Sequence, residues 1–128
     1  MSPQEFVNNL RSFLPTESVL HETEDLKPYE CDGLSAYRQL PLVVVLPRTE
    51  EQIVKVLQLC HATQTPVVAR GAGTGLSGGA LPHAQGVLLS LAKLNQIIAV
   101  DPLARTVRVQ PGVRNLAISE AAVPYGLY

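Results

Sequence analysis

The sequence predicts a mixed α and β fold of the α+β class, on three observations. Short apolar runs of strand length follow one another along the chain, two helix-capping patterns precede amphipathic segments, and a glycine-rich segment comes directly after a strand. The chain has 128 residues, of which 46% are hydrophobic and 16% charged. This length and composition predict a globular chain with a real core.

The first helix should begin at the amino terminus. Ser2 is a suitable N-cap, Pro3 suits the first helical position and Glu5 completes a capping box. Pro15 ends the helix because proline cannot continue the hydrogen-bonding pattern. Residues 16–39 show no sustained periodicity, and we expect them to form an extended arm. The apolar face of the predicted helix comprises Phe6, Leu10, Phe13 and Leu14.

A strand, a helix and a second strand should follow as a right-handed βαβ unit with parallel strands. Leu42–Leu46 is an unbroken apolar run, which is typical of a strand buried on both faces. Thr49 and Gln52 form a second capping box, and Val67–Ala69 supplies the next strand. The predicted buried stripe of the helix comprises Ile53, Val56, Leu57 and Cys60.

The last third of the chain predicts three strands and a helix. Gly86–Leu91 is the first strand, and Ile97–Val100 and Thr106–Gln110 should pair as an antiparallel hairpin around the turn residues 101–104. The helix should cover residues 114–123, before Pro124 and Gly126.

Composition excludes several function classes. A net charge of −1, with four Tyr, two Phe and no Trp, gives no basic or stacking surface for nucleic acid. Cys31 and Cys60 lack metal-type spacing, and we expect reduced thiols and no metal site. The amino terminus does not resemble a signal peptide and no apolar run reaches membrane-spanning length, so we expect a cytoplasmic location.

The glycine-rich segment at residues 70–79 is the main candidate binding site. It holds five glycines in ten residues, and successive N–H groups without intervening side chains form a concavity for a phosphate or pyrophosphate. Thr74 and Ser77 can add hydroxyl contacts. Arg70 either contacts the phosphates or braces the loop against a backbone carbonyl; the sequence leaves both roles open.

Two familiar nucleotide loops do not fit this segment. Gly73, Gly75 and Gly78 satisfy the GxGxxG expression, but no helix starts at the loop and no acidic residue follows at the spacing that a ribose contact needs. A P-loop is excluded because no Gly-Lys-Ser/Thr follows. A strand–glycine loop–strand arrangement remains.

Residues 66–79 resemble the pyrophosphate loop of FAD-binding domains of the vanillyl-alcohol-oxidase (PCMH) type. Together with residues 29–37, 42–47 and 109–113, they are most similar to flavin-dependent D-2-hydroxyacid dehydrogenases, in particular the glycolate oxidase FAD subunits. The resemblance implies the first α+β subdomain of a PCMH-type domain. Residues 1–39 would be an added helix and arm, and residues 40–128 the incomplete amino-terminal part of the domain.

The resemblance also implies the cofactor and its contacts. The cofactor would be FAD, and Thr74 stands where some relatives attach the flavin to a histidine, so we expect non-covalent binding. The turn at Pro111–Gly112 would border the cofactor. The implied FAD-binding residues are Arg70, Gly71, Ala72, Gly73, Thr74, Gly75, Leu76, Ser77, Gly78, Gly79, Pro111 and Gly112.

The implied activity belongs to a longer protein. Its family oxidises D-2-hydroxy acids, here glycolate or D-lactate, with the flavin accepting hydrogen and an electron pair while a base takes the hydroxyl proton. No catalytic acid, base or nucleophile is identified in this sequence, so we expect an inactive amino-terminal fragment. Partner subunits bearing FAD and iron–sulfur clusters are also implied, with peripheral attachment to a membrane through them.

Two other functions stay open. A PCMH-fold reductase of cell-wall precursor synthesis would share this loop type, although residues 29–37 and the amino-terminal arm fit the hydroxyacid family better. A non-enzymatic module that binds a nucleotide or phosphate is the other alternative. Such a module would unfold cooperatively without any response to FAD.

Overall fold

The computed structural model describes residues 1–31, 38–71 and 81–128. Three short 3-10 turns accompany the helices and strands, at residues 16–18, 27–29 and 123–125. The elements are α1 (Pro3–Arg11), β1 (Val19–Leu20), α2 (Thr23–Leu26), β2 (Val43–Val45), α3 (Glu50–Ala62), β3 (Val67–Arg70), β4 (Val87–Ser90), β5 (Ile97–Asp101), β6 (Thr106–Val109) and α4 (Asn115–Ala122).

A four-stranded sheet in the order β1-β2-β4-β3 forms the centre of the fold. β4 pairs in parallel with both β2 and β3, whereas β1 pairs antiparallel with β2. The strands predicted for the βαβ unit are therefore parallel, but β4 separates them. All four residues of β4 are buried, as expected for an interior strand with parallel neighbours on both sides.

The core lies on both faces of the sheet. Val43 and Val45 pack on one face with residues of α1 and α3, and Val44 packs on the other face with Leu26 and Leu88. All three valines of β2 are 0% exposed. The prediction that this strand is buried on both faces is confirmed.

Both predicted helix starts are confirmed by their caps. Glu5 donates its backbone N–H to the Ser2 hydroxyl over 3.2 Å, and Ser2 donates its own N–H to the Glu5 carboxylate over 3.3 Å. At the start of α3, the Gln52 N–H donates to the Thr49 hydroxyl over 3.2 Å. The Gln52 side chain does not close the box, because its oxygen accepts the N–H of Arg48 instead.

One residue of the predicted α3 stripe is misplaced. Leu57 is 44% exposed, whereas Val56 and Cys60 are buried and Leu59 packs against the core. Successive helical residues are rotated by about 100°, so a stripe centred on Val56 and Cys60 leaves Leu57 at its margin.

The described part of the predicted extended arm contains regular structure, so that expectation is wrong there. β1 aligns Val19 with Val45 and Leu20 with Val44, and α2 follows it. A strand of two residues and a helix of four are too short to produce a periodic signal. The domain division at residue 40 stays a prediction.

The predicted hairpin and final helix are confirmed. β5 and β6 pair antiparallel, and the Asp101 carboxylate accepts the N–H groups of Leu103 and Ala104, each over 3.1 Å. α4 follows, and Gly126 ends the 3-10 turn after it with a φ of +71°. None of the helices in the described ranges has the length and apolarity that crossing a bilayer requires.

The two thiols should differ in reactivity. Burial raises the pKa of the Cys60 thiol from 9.0 to about 11, and the side chain is 2% exposed. At pH 8, iodoacetamide should modify the partly exposed Cys31 in the folded chain and reach Cys60 only after unfolding in urea. Mass spectrometry of tryptic peptides measures both reactions, and equal rates in the folded chain would contradict the expectation.

The same pKa shift predicts a pH dependence of stability. Below pH 9 the Cys60 thiol is neutral in both states, whereas between pH 9 and about 11 only the unfolded thiol ionises. The free energy of unfolding should therefore fall through that window. Urea titrations at several pH values give the free energy of unfolding of the wild-type chain and of Cys60→Ala. Between pH 9 and about 11 this free energy should fall more steeply with pH in the wild-type chain. An equal dependence on pH in the two chains would contradict the expectation.

Candidate FAD-binding site

The first glycine of the glycine-rich segment lies against the turn at residues 111–112. Gly71 directly follows β3, and a Cβ atom built on it would lie 2.7 Å from the carbonyl oxygen of Pro111. Real Cβ atoms do not approach an oxygen so closely, so the contact requires glycine. The structure therefore brings together two segments that sequence analysis assigned to one site.

The turn itself packs tightly against the backbone that follows β4. A Cβ atom on Gly112 would overlap the Leu91 carbonyl oxygen and would lie 2.8 Å from that of Leu94. The Gly112 N–H donates to the Leu94 carbonyl over 2.9 Å. Gly112 is thus needed for packing against the chain that leaves β4.

A cleft of about 410 Å³ opens beside this junction. Half of its lining residues are glycine or alanine, and among the described lining residues Arg114 carries the charge. Such a cleft can accept an anionic group close to the main chain. The lining residues are Gly71, Ala92, Asn95, Ile97, Gly112, Val113, Arg114 and Ala117.

Arg114 and Asn95 were missing from the residues that sequence analysis selected. Arg114 lies two positions after Gly112, immediately before α4. A cation beside a turn that borders an anion site is a usable signal, although it becomes meaningful only once the turn is placed. Asn95 offers no such signal, because it enters the cleft from the chain between β4 and β5.

Arg70 ends β3 and is 8% exposed. Its guanidinium donates to the carbonyl oxygens of Tyr29 and Cys31, over 3.2 Å and 2.9 Å, and its Cζ lies 6.0 Å from the centre of the Tyr29 ring. Its own carbonyl accepts the N–H of Leu91 over 2.8 Å. Arg70 thus connects Tyr29 and Cys31 to β4, where it is aligned with Ser90, and to Leu91 after that strand.

The remaining predicted FAD contacts lie outside the described residues, and their roles stay predictions. They are Ala72, Gly73, Thr74, Gly75, Leu76, Ser77, Gly78 and Gly79.

Among the described residues, clusters of metal ligands are absent and ion pairs of histidine are few. Across residues 1–31, 38–71 and 81–128, no three His, Cys, Asp or Glu side chains lie close enough to hold a metal ion. The one histidine ion pair in these ranges joins the neighbours His21 and Glu22 over 3.6 Å.

Comparisons with known proteins agree on one family. Residues 41–128 match the model of an FAD binding domain. The chain is 57% identical over 119 residues to the glycolate oxidase subunit GlcD of Escherichia coli (strain K12), covering 93% of this chain and 24% of that protein. It is 32% identical over 124 residues to a D-lactate dehydrogenase of Anaerostipes hadrus, covering 96% and 26%.

A solved structure gives the same result. The chain superposes on p-cresol methylhydroxylase with substrate bound at a TM-score of 0.82 and 28% identity, covering 97% of this chain and 25% of that one. The PCMH-type α+β fold that the sequence predicts is therefore confirmed. The chain spans about a quarter of the length of each of these relatives.

Substitution of Gly112 should destabilise the fold. In Gly112→Ala the new methyl group would meet two carbonyl oxygens, and such overpacking costs about 1–3 kcal/mol or more. Gly126→Asn is a matched control, because a Cβ there meets nothing within 4 Å and asparagine tolerates the left-handed conformation. Guanidinium denaturation measures both; equal stabilities would show that the contact at residue 112 is not needed.

Proposed function

Because the chain belongs to the FAD binding domain family, we propose that this cleft and the glycine-rich segment that starts at its wall hold the diphosphate of a non-covalently bound FAD. The observation that supports the proposal best is the contact of Gly71 with Pro111, since it joins the two segments that the family resemblance assigns to the cofactor. The FAD binding domain model covers both segments.

The residues around the cleft fit such a ligand. Gly71 and Gly112 keep side chains away from the main chain, and Ala92 and Ala117 add little bulk. Arg114 supplies a guanidinium, which binds phosphate oxygens well because its N–H donors are arranged in a planar fork. The segment at residues 72–79 would add backbone N–H donors and the hydroxyls of Thr74 and Ser77.

The proposal of non-covalent binding depends on Thr74. In relatives that carry a covalent flavin, the resemblance places a histidine at this position of the loop. A threonine hydroxyl lacks the ring nitrogen that forms such a bond. FAD should therefore dissociate from the denatured chain, with no flavin left on the polypeptide after precipitation in acid.

For the whole protein we propose oxidation of a D-2-hydroxy acid. Glycolate leads because GlcD of E. coli is a glycolate oxidase subunit, and D-lactate follows because of the D-lactate dehydrogenase relative. Bound FAD supplies a two-electron acceptor. This chain would bind and orient it, while the groups that hold substrate and take its proton would come from the rest of the protein. The chain alone should not turn over substrate.

The proposal includes partners and a location. Subunits with FAD and iron–sulfur clusters would pass the electrons onward, and the protein would be cytoplasmic with peripheral attachment through those subunits. The proposal of partner subunits is supported by the name of GlcD of E. coli, which is called a glycolate oxidase subunit.

Titration of the purified chain with FAD tests the binding proposal. Flavin fluorescence should saturate, and the double variant Gly73→Asp, Gly75→Asp should weaken binding by about tenfold or more, because two carboxylates would face a diphosphate. Gly126→Asn is the control and should bind as the wild-type chain does, since residue 126 is absent from the cleft lining.

The contrary results are distinct. Binding that survives the double substitution would place the diphosphate elsewhere in the chain. A chain that circular dichroism shows to be folded but that does not bind FAD would overturn the proposal that the cleft and the glycine-rich segment hold the diphosphate.

A further inference from the structure

We propose that Arg70 is a positioning residue that holds Tyr29–Cys31, here called the amino-terminal segment, at the start of the glycine-rich segment. FAD binding and the order of the amino-terminal segment are then energetically coupled. This inference rests on the proposed function. It assigns a part in cofactor binding to Tyr29–Cys31, which lie outside the residues 41–128 that match the FAD binding domain.

The contacts of Arg70 connect distant parts of the chain. One terminal nitrogen of its guanidinium donates to two carbonyl oxygens that are 41 and 39 residues away in sequence, those of Tyr29 and Cys31. The side chain is buried, and the Tyr29 ring lies beside the guanidinium. A charge-assisted hydrogen bond in a buried setting is stronger than an exposed one, so these bonds hold the segment firmly.

The fastened segment is also closed on itself. Gln39 donates its N–H to the Glu30 carbonyl over 2.7 Å, and Arg38 pairs with the Glu30 carboxylate over 3.7 Å. Both ends of the chain between Glu30 and Gln39 are therefore tied together next to the residue that Arg70 holds.

The residue after Arg70, Gly71, lines the proposed binding site. Gly71 touches Pro111, and the Arg70 carbonyl is fixed by the N–H of Leu91. A ligand that orders the chain at Gly71 also limits the motion of Arg70, and through its guanidinium that of Tyr29 and Cys31. Coupling of this kind acts equally in both directions, so ordering of the segment must favour FAD binding.

Replacement by lysine separates this role from direct contact with phosphate. Lysine keeps the charge and serves well as a phosphate ligand, but its side chain is one atom shorter than that of arginine. Its ammonium therefore falls short of the two carbonyl oxygens that one terminal nitrogen of Arg70 reaches, and it has no planar group to pack beside Tyr29. A phosphate contact should therefore survive in Arg70→Lys and weaken with added salt. A positioning role should be lost in Arg70→Lys, with a loss that salt does not change.

The experiment measures FAD affinity of the wild-type chain, Arg70→Lys and the exposed control Arg48→Lys by flavin fluorescence, at low and high salt. We expect Arg70→Lys to bind about tenfold more weakly at both salt concentrations, and Arg48→Lys to bind as the wild type. Circular dichroism melts confirm that the variants are folded. Wild-type affinity in Arg70→Lys would overturn the proposal.

Hydrogen exchange of the wild-type chain and of Arg70→Lys gives a second test. FAD should slow exchange at the hydrogen-bonded amides of Glu30 and Gln39 in the wild-type chain, and the effect should vanish in Arg70→Lys. Unchanged exchange on FAD binding would overturn the coupling while leaving the proposed function intact. A wild-type chain that binds no FAD would overturn the proposed function and the coupling together. In that case, faster exchange at Glu30 and Gln39 in FAD-free Arg70→Lys would show only that Arg70 holds residues 29–31 in place.

Discussion

The parallel pairing of β4 between β2 and β3 is the constraint on which the rest of the structure depends. The Val87 N–H donates to the Pro66 carbonyl over 2.8 Å, and the Leu42 N–H donates to the Gly86 carbonyl over 3.0 Å, so the start of β4 is bound to both neighbours. Because β3 and β4 run in the same direction, the chain must return from the carboxyl end of one to the amino end of the other. Gly71 therefore lies at the carboxyl edge of the sheet, which is where ligands bind in many parallel sheets.

Close approach of backbone segments, more than any arrangement of functional side chains, shapes the candidate site. Gly71 meets Pro111, and Gly112 meets the carbonyls of Leu91 and Leu94. Glycine density at such a site has two causes, since some glycines admit the ligand and others admit neighbouring main chain. Gly71 and Gly112 belong to the second kind, and both line the cleft.

Sequence reasoning succeeded where a physical rule acts locally. The cap at Ser2, the doubly buried strand β2 and the turn at Asp101 each follow from a few adjacent residues. It failed where the determinant is distant in sequence. The interior place of β4 depends on pairing with two strands. For Arg70, the sequence offered bonding to a backbone carbonyl as one of two roles, but it did not identify the carbonyls, which lie about 40 residues away. Arg114 enters the site only because the turn before it folds back onto Gly71.

The two-residue strand β1 has a further role at the border of the sheet. Val19 and Leu20 cover the flank of β2, whose three valines would otherwise present unpaired main-chain groups on a wholly apolar strand. Uncovered strands of this kind recruit strands from other molecules, which leads to aggregation. A chain shortened past Leu20 would therefore be prone to self-association, so the solubility of the protein depends on these first twenty residues.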